Sequence, residues 1–146
     1  LMGQIGYGEL LRVLQPKGSI DRALEPAPTI DADERLSHLQ ALMAEHHISR
    51  FVVTEGKKIS GIVTETDLAV SLRKFREKIE DRHQDFRFHN IIVRTIMTTP
   101  IMTIDRSTKI ADVVSIMLKK NISSIPVVDK GNLVGIITRR SLVQAL

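Results

Sequence analysis

Apolar residues recur three and four positions apart at Leu36, Leu39, Leu42 and Met43, the spacing that gathers one face of an α-helix. Asp31 and Glu34 ahead of them read as a helix-capping pair. A short β-branched and aromatic run follows, Phe51-Val52-Val53, then the polar turn Glu55-Gly56-Lys57-Lys58 and a second strand over 59–63. A closing helix is predicted from near Thr64. The whole order then repeats: an apolar stripe at Ile110, Val113, Val114, Ile116 and Met117, a strand over 125–128, the turn Asp129-Lys130-Gly131-Asn132, a strand over 133–137, and a helix from near Thr138. The short turns predict a hairpin in each copy. Pro126 lacks a backbone donor, which predicts either an edge strand or a backbone position left free for another role.

The two copies, 29–72 and 103–146, align without gaps at an offset of 74 residues. Thr29-Ile30-Asp31 falls on Thr103-Ile104-Asp105, Ile48-Ser49 on Ile122-Ser123, Gly61-Ile62 on Gly135-Ile136, Thr64 on Thr138 and Leu68 on Leu142. The predicted fold is therefore α/β (α+β), a tandem pair of β-α-β-β-α units related by pseudo-two-fold symmetry. A unit this small buries little surface alone, so pairing of the copies face to face is expected. The division expected is an N-terminal segment 1–20, a first domain 21–80, a linker 81–92 and a second domain 93–146. Residues 73–81 are expected to extend the preceding helix, and 85–90 to form a loop. Near the N-terminus, Gly3-Gln4-Ile5 and Glu9-Leu10-Leu11 resemble Gly135-Ile136-Ile137 and Ser141-Leu142-Val143, and 19–30 resembles 93–104. Two readings stand: the tail of an earlier copy in a longer repeat protein, or an ordinary N-terminal helix packed on the pair.

Composition narrows the chemistry. The 146 residues are 42% apolar and 26% charged, ordinary for a globular chain, with no cysteine for disulfides or thiolate metal sites. No apolar run reaches bilayer length and the start lacks a signal-peptide pattern, so a cytoplasmic protein is expected, with no membrane partner. The net charge of +4 suits anionic partners, but Arg73, Lys74, Arg76, Lys78, Arg82 and Arg87 are interleaved with Glu77, Glu80, Asp81 and Asp85, the pattern of a solvated helix and linker. Nucleic-acid binding through a basic surface is the lesser reading, and aromatics at 3% offer little for base stacking. His46 and His47 are adjacent rather than four apart, and His38, His83 and His89 show no ligand spacing, so no metal site is expected. Met43, Met97, Met102 and Met117 read as core fillers. No nucleophile–base pair, phosphate loop or carboxylate pair appears, and no enzyme is expected.

Met97-Thr98-Thr99-Pro100, Ile122 through Asp129 (ISSIPVVD) and Gly135-Ile136-Ile137-Thr138, with the matching order Pro28-Thr29-Ile30, Ile48 through Val53 and Gly61 through Leu68, resemble the CBS (cystathionine β-synthase) domain family. The resemblance implies a Bateman module, with a cleft that takes AMP, ADP, ATP or S-adenosylmethionine and passes the signal to an attached or associated protein. It implies no required cofactor, a homodimer, and an unidentified regulated protein or further CBS repeats as partners. Family positions map the ribose acceptor to Asp67 beside Thr64, and a phosphate contact to Arg50. They map adenine-edge reading to backbone around Thr29-Ile30 and Thr103-Ile104, and ring-flanking surface to Ile48, Val52 and Ile62, or Ile122, Pro126 and Ile136. Thr138 is kept in the second copy, but Ser141 stands where the aspartate is expected, with Arg139 and Arg140 beside it as phosphate candidates; unequal sites are expected. The competing reading of Thr64 and Asp67 is a helix cap alone, and the competing function is a dimerisation module that binds no nucleotide.

Overall fold

The computed structural model describes residues 6–14, 18–78 and 90–145. The first copy contributes β1 (Thr29–Asp31), α2 (Leu36–His46), β2 (Arg50–Glu55), β3 (Lys58–Thr64) and α3 (Glu65–Lys78). The second contributes β4 (Ile104–Asp105), α4 (Ile110–Lys120), β5 (Ser124–Asp129), β6 (Asn132–Thr138) and α5 (Arg139–Gln144). A helix α1 (Tyr7–Leu14) and short 3-10 turns at Ile20–Ala23 and Val93–Thr95 precede the copies. The β-α-β-β-α order of each copy is as the sequence predicts. Part of the 73–81 stretch does extend α3, to Lys78; residues 85–89 of the predicted loop and residues 1–5 lie outside the described residues.

Each sheet has three strands, in the order β1-β2-β3 and β4-β5-β6. The outer pairing β1–β2 is parallel and the hairpin β2–β3 antiparallel, and likewise in the second sheet. The hairpin turns use two different solutions. Gly56 takes φ 62° in the first, whereas Lys130 and Gly131 take φ 51° and 81° in the second, so both central residues are left-handed only there. Each sheet is backed by its own core. Leu36, Leu39, Met43, Phe51, Val53, Val63 and Leu68 form one, and Ile110, Val113, Val114, Met117, Ile125, Val127, Ile137 and Leu142 the other.

Packing divides the chain into Pro28–Ile101 and, discontinuously, Leu1–Ala27 with Met102–Leu146. The division arises because the segment leading into each copy rests on the sheet of the other copy. Glu25 exchanges both backbone bonds with Ile136 of β6, each 2.9 Å, while Thr98 does the same with Ile62 of β3, at 2.8 and 3.2 Å. Ile20, Ala23 and Val93 from these lead-ins are buried in the core they join. Helix α1 packs on α5 with Leu11 fully buried, an arrangement that both readings of the N-terminal segment allow.

Three expectations need correction. Asp31 does not cap α2: its carboxylate accepts from the Asp33 N–H at 2.8 Å, an Asx turn that closes β1. The first helical N–H, of Leu36, is taken instead by the Ile91 carbonyl at 2.9 Å, a long-range partner that no local signature announces. Pro126 is not on an edge, since β5 is the central strand. The Val52 N–H donates to the Pro28 carbonyl at 2.9 Å, whereas Pro126 offers no such donor to Met102, and β4 begins one residue later than β1 does. Met102 is 39% exposed and no core filler, whereas Met43 and Met117 are buried.

Candidate functional site

The end of β3 and the start of α3 position the acidic candidate. Thr64 is extended and hands over to the helix at Glu65, and its hydroxyl accepts from the Asp67 N–H at 3.2 Å. The Asp67 carboxylate returns two bonds through Oδ2, from the Thr64 N–H at 2.9 Å and the Thr64 hydroxyl at 3.0 Å. This reciprocal box uses one carboxylate oxygen and leaves Oδ1 outside it. Arg50 begins β2 directly opposite Thr64 in the antiparallel register. Its Nη1 is buried and has no hydrogen-bond partner among the described residues. An unpaired guanidinium nitrogen out of water is costly unless an acceptor arrives. Arg50, Thr64 and Asp67 are thus brought together.

The ring-flanking candidates fall into register as well. Thr29, Val52 and Ile62 lie on one rung across the first sheet. Thr29 is exposed, Val52 is buried, and Ile62 is half-buried. Val52 alternates away from Phe51 and Val53, whose side chains belong to the helix-backed core. Ile30 turns its side chain into the core and Ile48 packs against it, so Ile30 offers a ligand only its backbone. In the second sheet Pro126 and Ile136 share a rung and both are buried, while Thr103 is exposed and unpaired with β5. Ile104 is a core residue and Ile122 packs on that core.

The second copy keeps the box and changes its chemistry. The Thr138 hydroxyl accepts from the Ser141 N–H at 2.9 Å, and the Ser141 hydroxyl accepts from the Thr138 N–H at 2.9 Å. Ser141 is 3% exposed, so a short neutral side chain satisfies the turn where Asp67 does so with a charge to spare. Arg139 is committed elsewhere: it donates to the carbonyls of Ile122 and Met117 at 3.1 and 3.2 Å and to Asn121 Oδ1 at 3.3 Å, closing the C-terminal end of α4. Arg140 is exposed.

Two of the cavities lie away from these residues. One of about 340 Å³ is lined by residues that include Lys58, Ser60, Met97 and Thr99, and one of about 500 Å³ lies along Ala69, Leu72 and Arg73 of α3. Neither is lined by Arg50, Thr64 or Asp67. No group of three or more metal-ligating side chains occurs among the described residues. His38 meets Glu34 at 2.5 Å, and His47 holds the left-handed cap of α2, at φ 54°. Among the described residues no helix is long and apolar enough to cross a membrane.

Sequence reasoning passed over Gly61 and Gly135, although both copies display them. A Cβ on Gly61 would stand 2.7 Å from the Thr98 carbonyl oxygen, and on Gly135 2.7 Å from that of Glu25. Both glycines exist so that a lead-in backbone can press across the sheet. The repetition of Gly-Ile at the same offset was the available signal.

Two three-stranded sheets, each flanked by helices and entered by a crossed segment, define a tandem α+β repeat with an ordered polar turn at the end of each hairpin. Residues 19–74 and 93–146 match the CBS domain family, and the chain belongs to it. An uncharacterized protein of Methanocaldococcus jannaschii is 33% identical over 125 residues, covering 82% of this chain and 71% of the relative. Another from the same organism is 32% identical over 121 residues, covering 80% of this chain but 28% of the relative. The chain thus spans little more than a quarter of one curated relative and most of the other. A homoserine O-acetyltransferase of Methanocorpusculum labreanum is 31% identical over 132 residues, which occupy 24% of that enzyme. Among solved structures, a Methanocaldococcus jannaschii protein proposed as an archaeal homolog of γ-AMPK superposes with a TM-score of 0.76 at 23% identity, covering 99% of this chain and 54% of that one. The CBS domain of a Sphaerobacter thermophilus membrane protein superposes at 0.70 with 25% identity, covering 94% and 92%. A CBS domain pair crystallised with 5′-methylthioadenosine and S-adenosyl-L-methionine superposes at 0.69 with 24% identity, covering 88% and 95%. The fold is a tandem CBS-domain pair.

Proposed function

We propose that this module senses an adenosyl compound (AMP, ADP, ATP or S-adenosylmethionine) at the Arg50–Thr64–Asp67 end of the first sheet, and that it regulates an attached or associated protein rather than catalysing a reaction. The observation that carries the reading is the Arg50 guanidinium nitrogen, buried and unpaired across the rung from the Thr64–Asp67 box. Asp67 Oδ1 is the acceptor for ribose hydroxyls, and the positive end of the α3 dipole favours an anion beside Arg50, although the Glu65 and Asp67 N–H groups are already bonded to the Ser49 carbonyl and the Thr64 hydroxyl. The relative solved with two adenosyl ligands supports this ligand class. S-adenosylmethionine would lean on Asp67 and the exposed backbone near Thr29, and the nucleotides would add Arg50. A partner reads occupancy through its different affinity for the bound and free forms.

A thermal-shift panel with these compounds and NAD tests the proposal. A ligand at one hundred times its dissociation constant stabilises by about 2.7 kcal/mol. Asp67→Ser separates the roles, because Ser141 shows that serine completes the same box. The variant is expected to melt within ~2 °C of the parent, since the cap is kept, and to lose the ligand shift. Ligand binding equal to the parent's, or no shift of the parent with any compound, overturns the reading. Cytoplasmic location and a homodimer belong to the same proposal; sedimentation as a monomer removes the second.

A further inference from the structure

The bridges that seat the two lead-ins define corresponding positions. Ser19 pairs with Lys109 and Glu25 with Ile136, while Ile92 pairs with Arg35 and Thr98 with Ile62. On this register Asp21 of the first lead-in occupies the place of Arg94 in the second, so the same point of the seat carries opposite charge. On the first sheet Arg94 of the lead-in reaches two acids of the seat, Asp33 at 2.8 Å and Glu55. On the second sheet the arginine belongs to the seat: Arg106 reaches Asp21 of the lead-in at 3.3 Å and Asp129 at 4.0 Å. Glu55 and Asp129 are equivalent ends of the central strands, and each meets an arginine that comes from opposite sides of the contact.

We infer that charge polarity assigns each lead-in to its seat. Placed on the first sheet, the first lead-in would set Asp21 beside Asp33 and Glu55 with no cation. Placed on the second, the second lead-in would set Arg94 beside Arg106, whose acid is already engaged. Apart from the two further backbone bonds that Val93 and Arg94 donate to Glu34 and Ala32, the apolar and backbone parts of the two seats are alike: both present a glycine, both exchange two backbone bonds with the lead-in, and both bury a branched aliphatic from it. The arginines are 44% and 46% exposed, so any one pair contributes little. Discrimination comes from adding lost attraction to new like-charge repulsion, the usual way an interface rejects the wrong partner. The competitor is the other lead-in, from the same chain or from a second copy.

The full chain, which has no cysteine of its own, permits two readouts. In thermal unfolding, Asp21→Asn is expected to lower Tm by about 1–2 °C and Asp21→Arg by about 3–5 °C. Asp21→Arg with Arg106→Asp recreates the polarity of the other seat and is expected to return to within about 2 °C of the parent, with all differences shrinking at high salt. In the second readout a Glu25→Cys, Ile136→Cys pair, placed across the two-bond bridge, reports seating by its rate of disulfide closure. Asp21→Arg is expected to slow closure about fivefold or more, and the compensating change to restore it. A charge reversal no worse than neutralisation, losses that add when both residues are reversed, or unchanged closure overturns the inference.

Discussion

The two sheets share strand order and bulge position, yet they are finished differently at three places. The first has a full parallel rung at Val52 and Thr29; the second forgoes it at Pro126. The first caps its closing helix with a charged residue, the second with a buried serine. The second lead-in is also bonded more extensively than the first: Val93 and Arg94 donate to the carbonyls of Glu34 and Ala32, each at 2.8 Å, whereas Asp21 N–H turns to its own Ser19 hydroxyl at 3.2 Å. One duplicated unit therefore keeps its core and varies its rim. Core positions answer to packing, which the duplication imposes equally on both copies. Rim positions answer to what each sheet must hold.

The glycines give the sharpest way to break this comparison. Gly135→Ala is expected to cost about 2–3 kcal/mol, because its Cβ would meet a carbonyl oxygen and Leu24 side-chain atoms, all under 3 Å. Gly61→Ala is expected to cost less, since apart from one carbonyl it meets the flexible Met97 side chain at 3.0 Å. Equal losses in chemical denaturation would show that the carbonyl alone sets the cost. The missing rung comes next. Val52→Pro removes the N–H that Pro28 accepts and is expected to destabilise by about 1–3 kcal/mol, while Pro126→Val supplies that donor to the second sheet and is expected to gain about 0.5–1.5 kcal/mol. If Pro126→Val loses stability, the shortened β4 is held for another reason.

The smallest effect is on titration. Asp105 is held below its usual carboxylate pKa, first by the Ser107 hydroxyl at 2.6 Å and then by the Ser107 N–H at 2.9 Å. A depressed folded pKa adds stability above the unfolded value, near 3.9, and that contribution is lost as pH falls through the folded pKa. Ser107→Ala is expected to move the Asp105 midpoint upward, read by NMR of its carboxyl carbon; an unchanged midpoint would assign the shift to the backbone.

Much of this architecture was legible because duplication tests every local reading twice. The stripe of α2 and that of α4 bury equivalent residues, and Thr64 and Thr138 open helices as expected. The pairing of Arg50 with Thr64 follows from the hairpin register. Long-range partners were not legible. Nothing local at Asp31 distinguishes a helix cap from an Asx turn; a distant Ile91 carbonyl decides it. Likewise Arg139 reads as an exposed cation until the end of α4 is seen beneath it. The resemblance of 19–30 to 93–104 revealed two equivalent lead-ins without revealing which sheet each one closes.

The crossing of the lead-ins bears on how the chain can be divided. A cut at the sequence repeat, between 74 and 93, would separate Thr98 from Ile62 and Glu25 from Ile136, leaving β3 and β6 with unpaired outer edges that invite aggregation. Pro28–Ile101 is the one uninterrupted stretch that carries a complete sheet together with the segment that covers it. The other half becomes continuous by excision of residues 28–101, with residue 27 joined to residue 102.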